Sequence, residues 1–97
     1  MVTHIVMWNF VETLSEAEKA EAAKTMKEKL EALSEIVPGT LSVKVVTSPL
    51  TSSTRDIALI GEYADEAALK VYANHPEHLK VVELIKKVCK DRTALDF

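Results

Sequence analysis

The sequence predicts an α+β protein in which strands and helices follow the order βαββαβ and the strands pair antiparallel in one four-stranded sheet. Three observations carry that expectation. A β-branched and aromatic run opens the chain, an Ala/Glu/Lys-rich stretch with one apolar stripe follows it, and a second helical stretch is interrupted at His75–Pro76. With 97 residues, 47% hydrophobic and 28% charged, the chain has the length and composition of a single domain, expected over residues 1–97. A chain this long buries roughly two-thirds of its unfolded surface, near the size at which pairing with a second copy adds useful stability. Asp and Glu number 15 against 12 Lys and Arg, a net charge of -3 that argues against partners such as nucleic acid or an anionic membrane.

Each element has its own local justification. Residues 2–11, VTHIVMWNFV, contain no Gly or Pro and read as a strand. Val2, His4, Val6, Trp8 and Phe10 fall on one face and Thr3, Ile5, Met7, Asn9 and Val11 on the other. Because both faces are largely apolar, this strand is expected in the sheet interior, covered on both sides. Thr13 and Ser15 each precede a Glu by three residues (Glu16, Glu18), offering two overlapping capping boxes for a helix that runs to about Glu35. Ala23, Met26, Leu30, Leu33 and Val37 make its apolar stripe. Pro38 and Gly39 stop that helix, and Leu41, Val43 and Val45 alternate with Ser42 and Lys44 as a half-buried strand. The polar stretch Thr47 to Arg55 is a loop, and DIALIGEY (residues 56–63) is the third strand. Asp65 caps a short helix reaching about Ala73, and Pro76 suits the first turn of the next helix, where its missing N–H has no partner anyway. Leu79, Val82, Leu84 or Ile85, Val88 and Cys89 are the expected apolar face of that helix, and Thr93 to Phe97 a closing strand.

With right-handed crossovers this order becomes a split-βαβ, ferredoxin-like sheet whose helices cover one face. The other face, apolar in its turn, is expected to meet the same face of a second copy, giving a two-fold homodimer. The longest apolar runs fall far short of the roughly 20 residues a bilayer requires. The lone Cys89 closes no intrachain disulfide and no charged-then-apolar leader opens the chain, so the expected location is cytoplasmic.

The stretch Tyr72-Ala-Asn-His75-Pro76-Glu77-His78 gathers a phenol and two imidazoles around a helix break. Imidazole titrates near neutrality and a phenol donates or accepts a hydrogen bond, so a pocket over this segment could hold a general base and an orienting group. The same residues also have structural readings: Tyr72 as core, His75 as a helix cap, His78 as a partly exposed side chain. His4 shares a face with Val6 and Trp8 and must find a polar partner. It is tied either to a carbonyl or to Asp56, or it looks into a sheet–helix cavity toward Tyr72 or His78. His75 and His78 are three apart beside Glu77, but neither a Cys/His set nor an HExxH motif is present, so no metal is expected. No GxGxxG, P-loop or GxSxG occurs, and no cofactor is expected. Lys86, Lys87, Lys90 and Arg92 read as a solvated helix end that complements the dipole.

The opening MVTHIVMWNF strand, the Tyr72-x-x-His75-Pro76-x-His78 turn, the VVELIKKVC stretch and the closing LDF together resemble the stress-responsive A/B barrel (Dabb) family over essentially the whole chain. The resemblance implies a homodimer whose two sheets pack into an α/β barrel. One branch of that family consists of polyketide cyclases, in which a His matching His78 acts as acid/base, a Tyr matching Tyr72 assists it and a strand His matches His4. A further pocket His of that branch aligns with Asp56. The expectation is therefore a small, partly apolar ligand held between sheet and helices, with catalytic His78, Tyr72 and His4 and ligand contacts at Trp8, Asp56 and His75. The alternatives are a non-enzymatic stress or assembly protein, in which these residues serve fold and dimer, and a monooxygenase of the wider dimeric α/β-barrel class.

Overall fold

A computed structural model describes the chain from Met1 to Phe97. The elements are β1 (Val2–Phe10), α1 (Glu16–Ile36), β2 (Thr40–Val46), β3 (Ile57–Tyr63), α2 (Glu66–Asn74), α3 (Pro76–Val88) and β4 (Cys89–Asp96). All strand pairs are antiparallel, in the order β2-β3-β1-β4. This is the ferredoxin-like βαββαβ arrangement, with its second helix split at His75 and β1 inside the sheet.

Of the two capping boxes, the one on Ser15 closes: its Oγ accepts from Glu18 N at 3.1 Å, and its own N donates to Glu18 Oε1 at 2.8 Å. About three turns of apolar spacing then bring Ala22, Met26, Leu30 and Leu33 against the sheet, with Ala22 deeper than its neighbour Ala23. Val37 caps α1, and Gly39, at φ 82°, makes the left-handed turn into β2. Asp65 caps α2, accepting from Ala68 N at 2.8 Å. Val6, Trp8, Phe10, Val43, Val45, Ile57 and Leu59 supply the sheet side of the core.

Three expectations need correction. In α3 the buried residues are Val81 and Ile85, and Leu79 is exposed. Leu41 is exposed, because the β2–β3 register slips between Thr40 and Ser42 and leaves Leu41 as the extra residue; Thr40 is buried in its place. Cys89, Lys90 and Arg92 are not on a helix: β4 starts at Cys89, immediately after α3. The charges of Lys90, Asp91 and Arg92 read poorly as strand, yet pairing with β1 overrides that local preference.

The helix-free face of the sheet carries Ile5, Met7, Ala58, Ile60 and Leu95. Ile5 stands opposite Ile60 on one side and Leu95 on the other, and the latter two are exposed by 37% and 63%. On the helix face, Tyr63 is fully buried and its ring folds back over Gly61, two residues earlier on the same side. A Cβ at Gly61 would lie 2.8 Å from both Cε1 and Cζ of that ring. Gly61→Ala is therefore expected to displace the phenol and lower stability by about 2 kcal/mol in urea unfolding at fixed protein concentration; an unchanged midpoint would show that the ring moves freely.

Candidate active site

The break between α2 and α3 builds the site. Pro76 cannot continue α2, so α2 ends at Asn74 and His75 serves as N-cap of α3, its Nδ1 accepting from Glu77 N at 3.1 Å. The Ala73 carbonyl, in the last turn of α2, would lack a partner there. His78 Nδ1 lies 3.1 Å from it. A carbonyl only accepts, so Nδ1 carries the proton and Nε2 is left as the free basic nitrogen of the ring. Burial holds the His78 pKa below the usual imidazole value; the bond to Ala73 opposes that shift, and the nearby charges of His4, Arg92 and His75 add to it.

A cavity of about 440 Å³ opens between α2–α3 and the β1–β4 half of the sheet. Val6, Trp8, Leu59, Leu69, Val82 and Ile85 form its apolar wall, and His4, Tyr72 and His78 are its aromatic polar groups. The His78 ring packs on Tyr72 with centroids 4.4 Å apart, and Tyr72 packs on Tyr63 at 5.0 Å. His4 stands edge-on to Tyr63 at 6.2 Å. The phenols of Tyr63 and Tyr72 are close enough to feel one another, but no hydrogen bond closes between them. Both hydroxyls are buried without a protein partner. Burial pushes the Tyr72 pKa up to about 12 and that of Tyr63 higher still, so both remain protonated donors at neutral pH.

The structure thus brings together His4, Trp8, Tyr72 and His78. It does not bring Asp56 or His75 to the cavity. Asp56 sits beyond the Trp8–Ile57 pair, at the far end of β1 from His4, and its carboxylate accepts from Phe10 N at 2.9 Å. His75 is occupied as the α3 cap. The expected tie between His4 and Asp56 gives way to one with Asp96, which pairs with His4 directly across β1–β4. His4 Nδ1 donates to that carboxylate, which fixes the orientation of the ring. Asp96 and Arg92 line the same cavity. Sequence reasoning missed Arg92 because β4 was expected to begin at Thr93, and missed Asp96, inside that expected strand, because the β1–β4 register that sets it opposite His4 is not carried by local pattern. Cys89, whose thiol is raised to about 12 by burial, packs on Met26 Sδ at 3.7 Å and is inert as a nucleophile.

A one-sided antiparallel sheet under split helices, with a His- and Tyr-lined cavity open at one side between the layers, defines a protein of ferredoxin-like fold. The model of the Stress responsive A/B Barrel Domain (Dabb) family matches residues 2–97, and the chain belongs to that family. No curated protein matches the sequence. Among solved structures it is similar to a dimeric ferredoxin-like protein of unknown function from Bacteroides fragilis, with 27% identity and a TM-score of 0.91 over 99% of this chain and 93% of that one. The fold is shared with, among others, the hydroxynitrile lyase from Passiflora edulis (17% identity, TM-score 0.79, 99% and 90% covered) and a putative antibiotic biosynthesis monooxygenase from Nitrosomonas europaea (17%, 0.77, 100% and 96%).

An unpartnered hydroxyl in an apolar site opposes folding. Tyr72→Phe is therefore expected to leave the urea unfolding free energy unchanged or raise it by up to about 1 kcal/mol. A loss greater than about 1 kcal/mol would show that the hydroxyl is bonded for the sake of the fold.

Proposed function

We propose that the protein binds a small, partly apolar carbonyl compound in this cavity and moves a proton on it by acid/base chemistry supplied by the chain alone. The observation that carries this reading is the pairing of a base with a donor. His78 has its tautomer set by Ala73, and the stacked Tyr72 keeps its phenolic proton. In the proposed step His78 Nε2 takes a proton from the carbon next to the carbonyl. The C–H electron pair becomes the C=C bond of an enolate, the carbonyl π pair moves onto oxygen, and the Tyr72 hydroxyl donates a hydrogen bond to that oxygen; return of a proton from the imidazolium to the carbon reverses the step. His4, fixed by Asp96, offers a second nitrogen at the cavity floor. Trp8 supplies apolar contact. The single thiol, buried in the core, fits a reducing compartment such as the cytoplasm.

The test is exchange of the methyl protons of an aryl methyl ketone in deuterated buffer, followed by NMR. His78→Gln and Tyr72→Phe are each expected to slow the protein-catalysed rate by about 10²-fold or more. Since only the neutral imidazole is a base and the pKa of His78 is depressed, the rate should hold as pH falls through the usual imidazole value of about 6.5 and drop only below it. A rate insensitive to both substitutions would defeat the proposal and leave a binding or assembly protein.

We further propose that two copies pair through the helix-free sheet face, as the apolar strip around Ile5 and the dimeric Bacteroides fragilis relative suggest. Ile5→Glu is expected to convert the mass seen by light scattering from two chains to one. A parent protein that already runs as one chain would refute the pairing.

A further inference from the structure

The cavity mouth carries a cation with no partner. Lys86, Lys90, Asp91 and Arg92 line the cavity where α3 hands over to β4, and Asp96 lines it from the other end of β4. Two of these charges are paired, Lys90 with Glu12 and Asp96 with His4, while Asp91 accepts only from the neutral Asn9 Nδ2 at 3.1 Å. Lys86 reaches Glu83 only at 3.8 Å, with both side chains mostly in solvent. Arg92 forms no ion pair or side-chain hydrogen bond with any protein group.

The backbone gives Arg92 its position. Between the pairs Met7–Thr93 and Asn9–Lys90 the ladder slips, so that Asp91 and Arg92 together face Trp8. Asp91 adopts φ 56°, the left-handed region that a non-glycine residue enters only under constraint. Bulges of this kind re-aim side chains and gather beside functional sites. Here the extra residue keeps Arg92 in the cavity lining, beside the sole tryptophan and on the side of Asp96.

We infer that the ligand of this cavity carries a carboxylate: a keto acid whose carbonyl lies toward Tyr72 and His78 and whose carboxylate is held at the mouth by Arg92, with Lys86 beside it. A planar guanidinium can grip a carboxylate through two parallel hydrogen bonds, which a neutral amide or ester cannot match in strength. The apolar wall of Val6, Trp8, Val82 and Ile85 between the two polar ends suits an aryl or short alkyl body. The inference rests on the proposed carbonyl chemistry only for the inner end of the ligand; the carboxylate end stands on Arg92 alone.

The experiment uses Trp8 fluorescence, since that residue is both the only tryptophan and part of the cavity wall. Phenylglyoxylate and 4-acetylbenzoate are titrated against their neutral amides, with the parent, Arg92→Gln and Arg92→Lys. The acids are expected to bind the parent about tenfold more tightly than the amides. Arg92→Gln should abolish that preference without weakening the amides, and Arg92→Lys should keep part of it. On the parent alone, raising ionic strength from about 0.02 to about 0.5 M should weaken the acids and spare the amides, a readout independent of how the variants fold. Equal binding of acid and amide, or a preference that survives Arg92→Gln, overturns the inference and leaves the carbonyl reading standing. Silence from Trp8 toward acids and amides alike defeats the cavity reading and the inference with it.

Discussion

The break between Asn74 and Pro76 is the constraint on which the rest of the site depends. A proline without an N–H at the start of α3 ends α2 and leaves the last carbonyls of α2 in need of donors. One of them, on Ala73, is answered by an imidazole, and that single bond sets the tautomer of His78. The same break lets α3 leave the line of α2 and close over β1 and β4, so the cavity and its base arise from one local event. A continuous helix through residues 72–78 would bond Ala73 to the backbone and release His78 to the surface.

The three stacked rings show the opposing demands on this region. Tyr63, Tyr72 and His78 pack face to tilted face, which is favourable for aromatic groups, and they help fill the space under α2. Yet two buried hydroxyls end without a protein acceptor. A fold selected for stability alone would place Phe at either position, as polar atoms in an apolar wall oppose folding. Gly61 sharpens the point, because a strand position next to the core gives up its side chain so that the Tyr63 ring can lie over it.

The strand and helix order, the inner position of β1, the Ser15 cap and the His75–Pro76 break were all legible from spacing and cap residues, because each is decided within a few residues. What spacing could not reveal depends on pairing across the sheet. Leu41 alternates perfectly with Val43 and Val45, but a slip opposite Glu62 and Tyr63 turns it to solvent. The run Cys-Lys-Asp-Arg looks like a frayed helix end until β1 claims it as strand. The candidate site divides in the same way. Tyr72 and His78 are close in sequence and meet through the break, and His4 joins them from the correct strand face. Asp56 looked like the partner of His4 only as long as the β1–β3 register was unknown; that register sets Gly61 opposite His4 and sends Asp56 to the other end of the strand.

The period of two along β1 and β4 keeps two tasks apart on the same short strands. His4, Val6 and Trp8 look inward with Asp96, and Ile5 and Met7 look outward with Leu95. A one-residue slip would exchange the two sets, placing Ile5 at the cavity and His4 on the apolar outer strip. Register is therefore strongly specified at the His4 end, where the ladder is regular and the His4–Asp96 pair locks it. The irregularity is confined to the other end, where the Asp91 bulge accommodates one extra residue between Lys90 and Thr93. Placing the bulge there leaves the outward strip of Ile5, Ile60 and Leu95 unbroken while reshaping only the inward rim opposite Trp8. The sheet can thus present a continuous apolar strip outside and a shaped, charged mouth inside without either compromising the other.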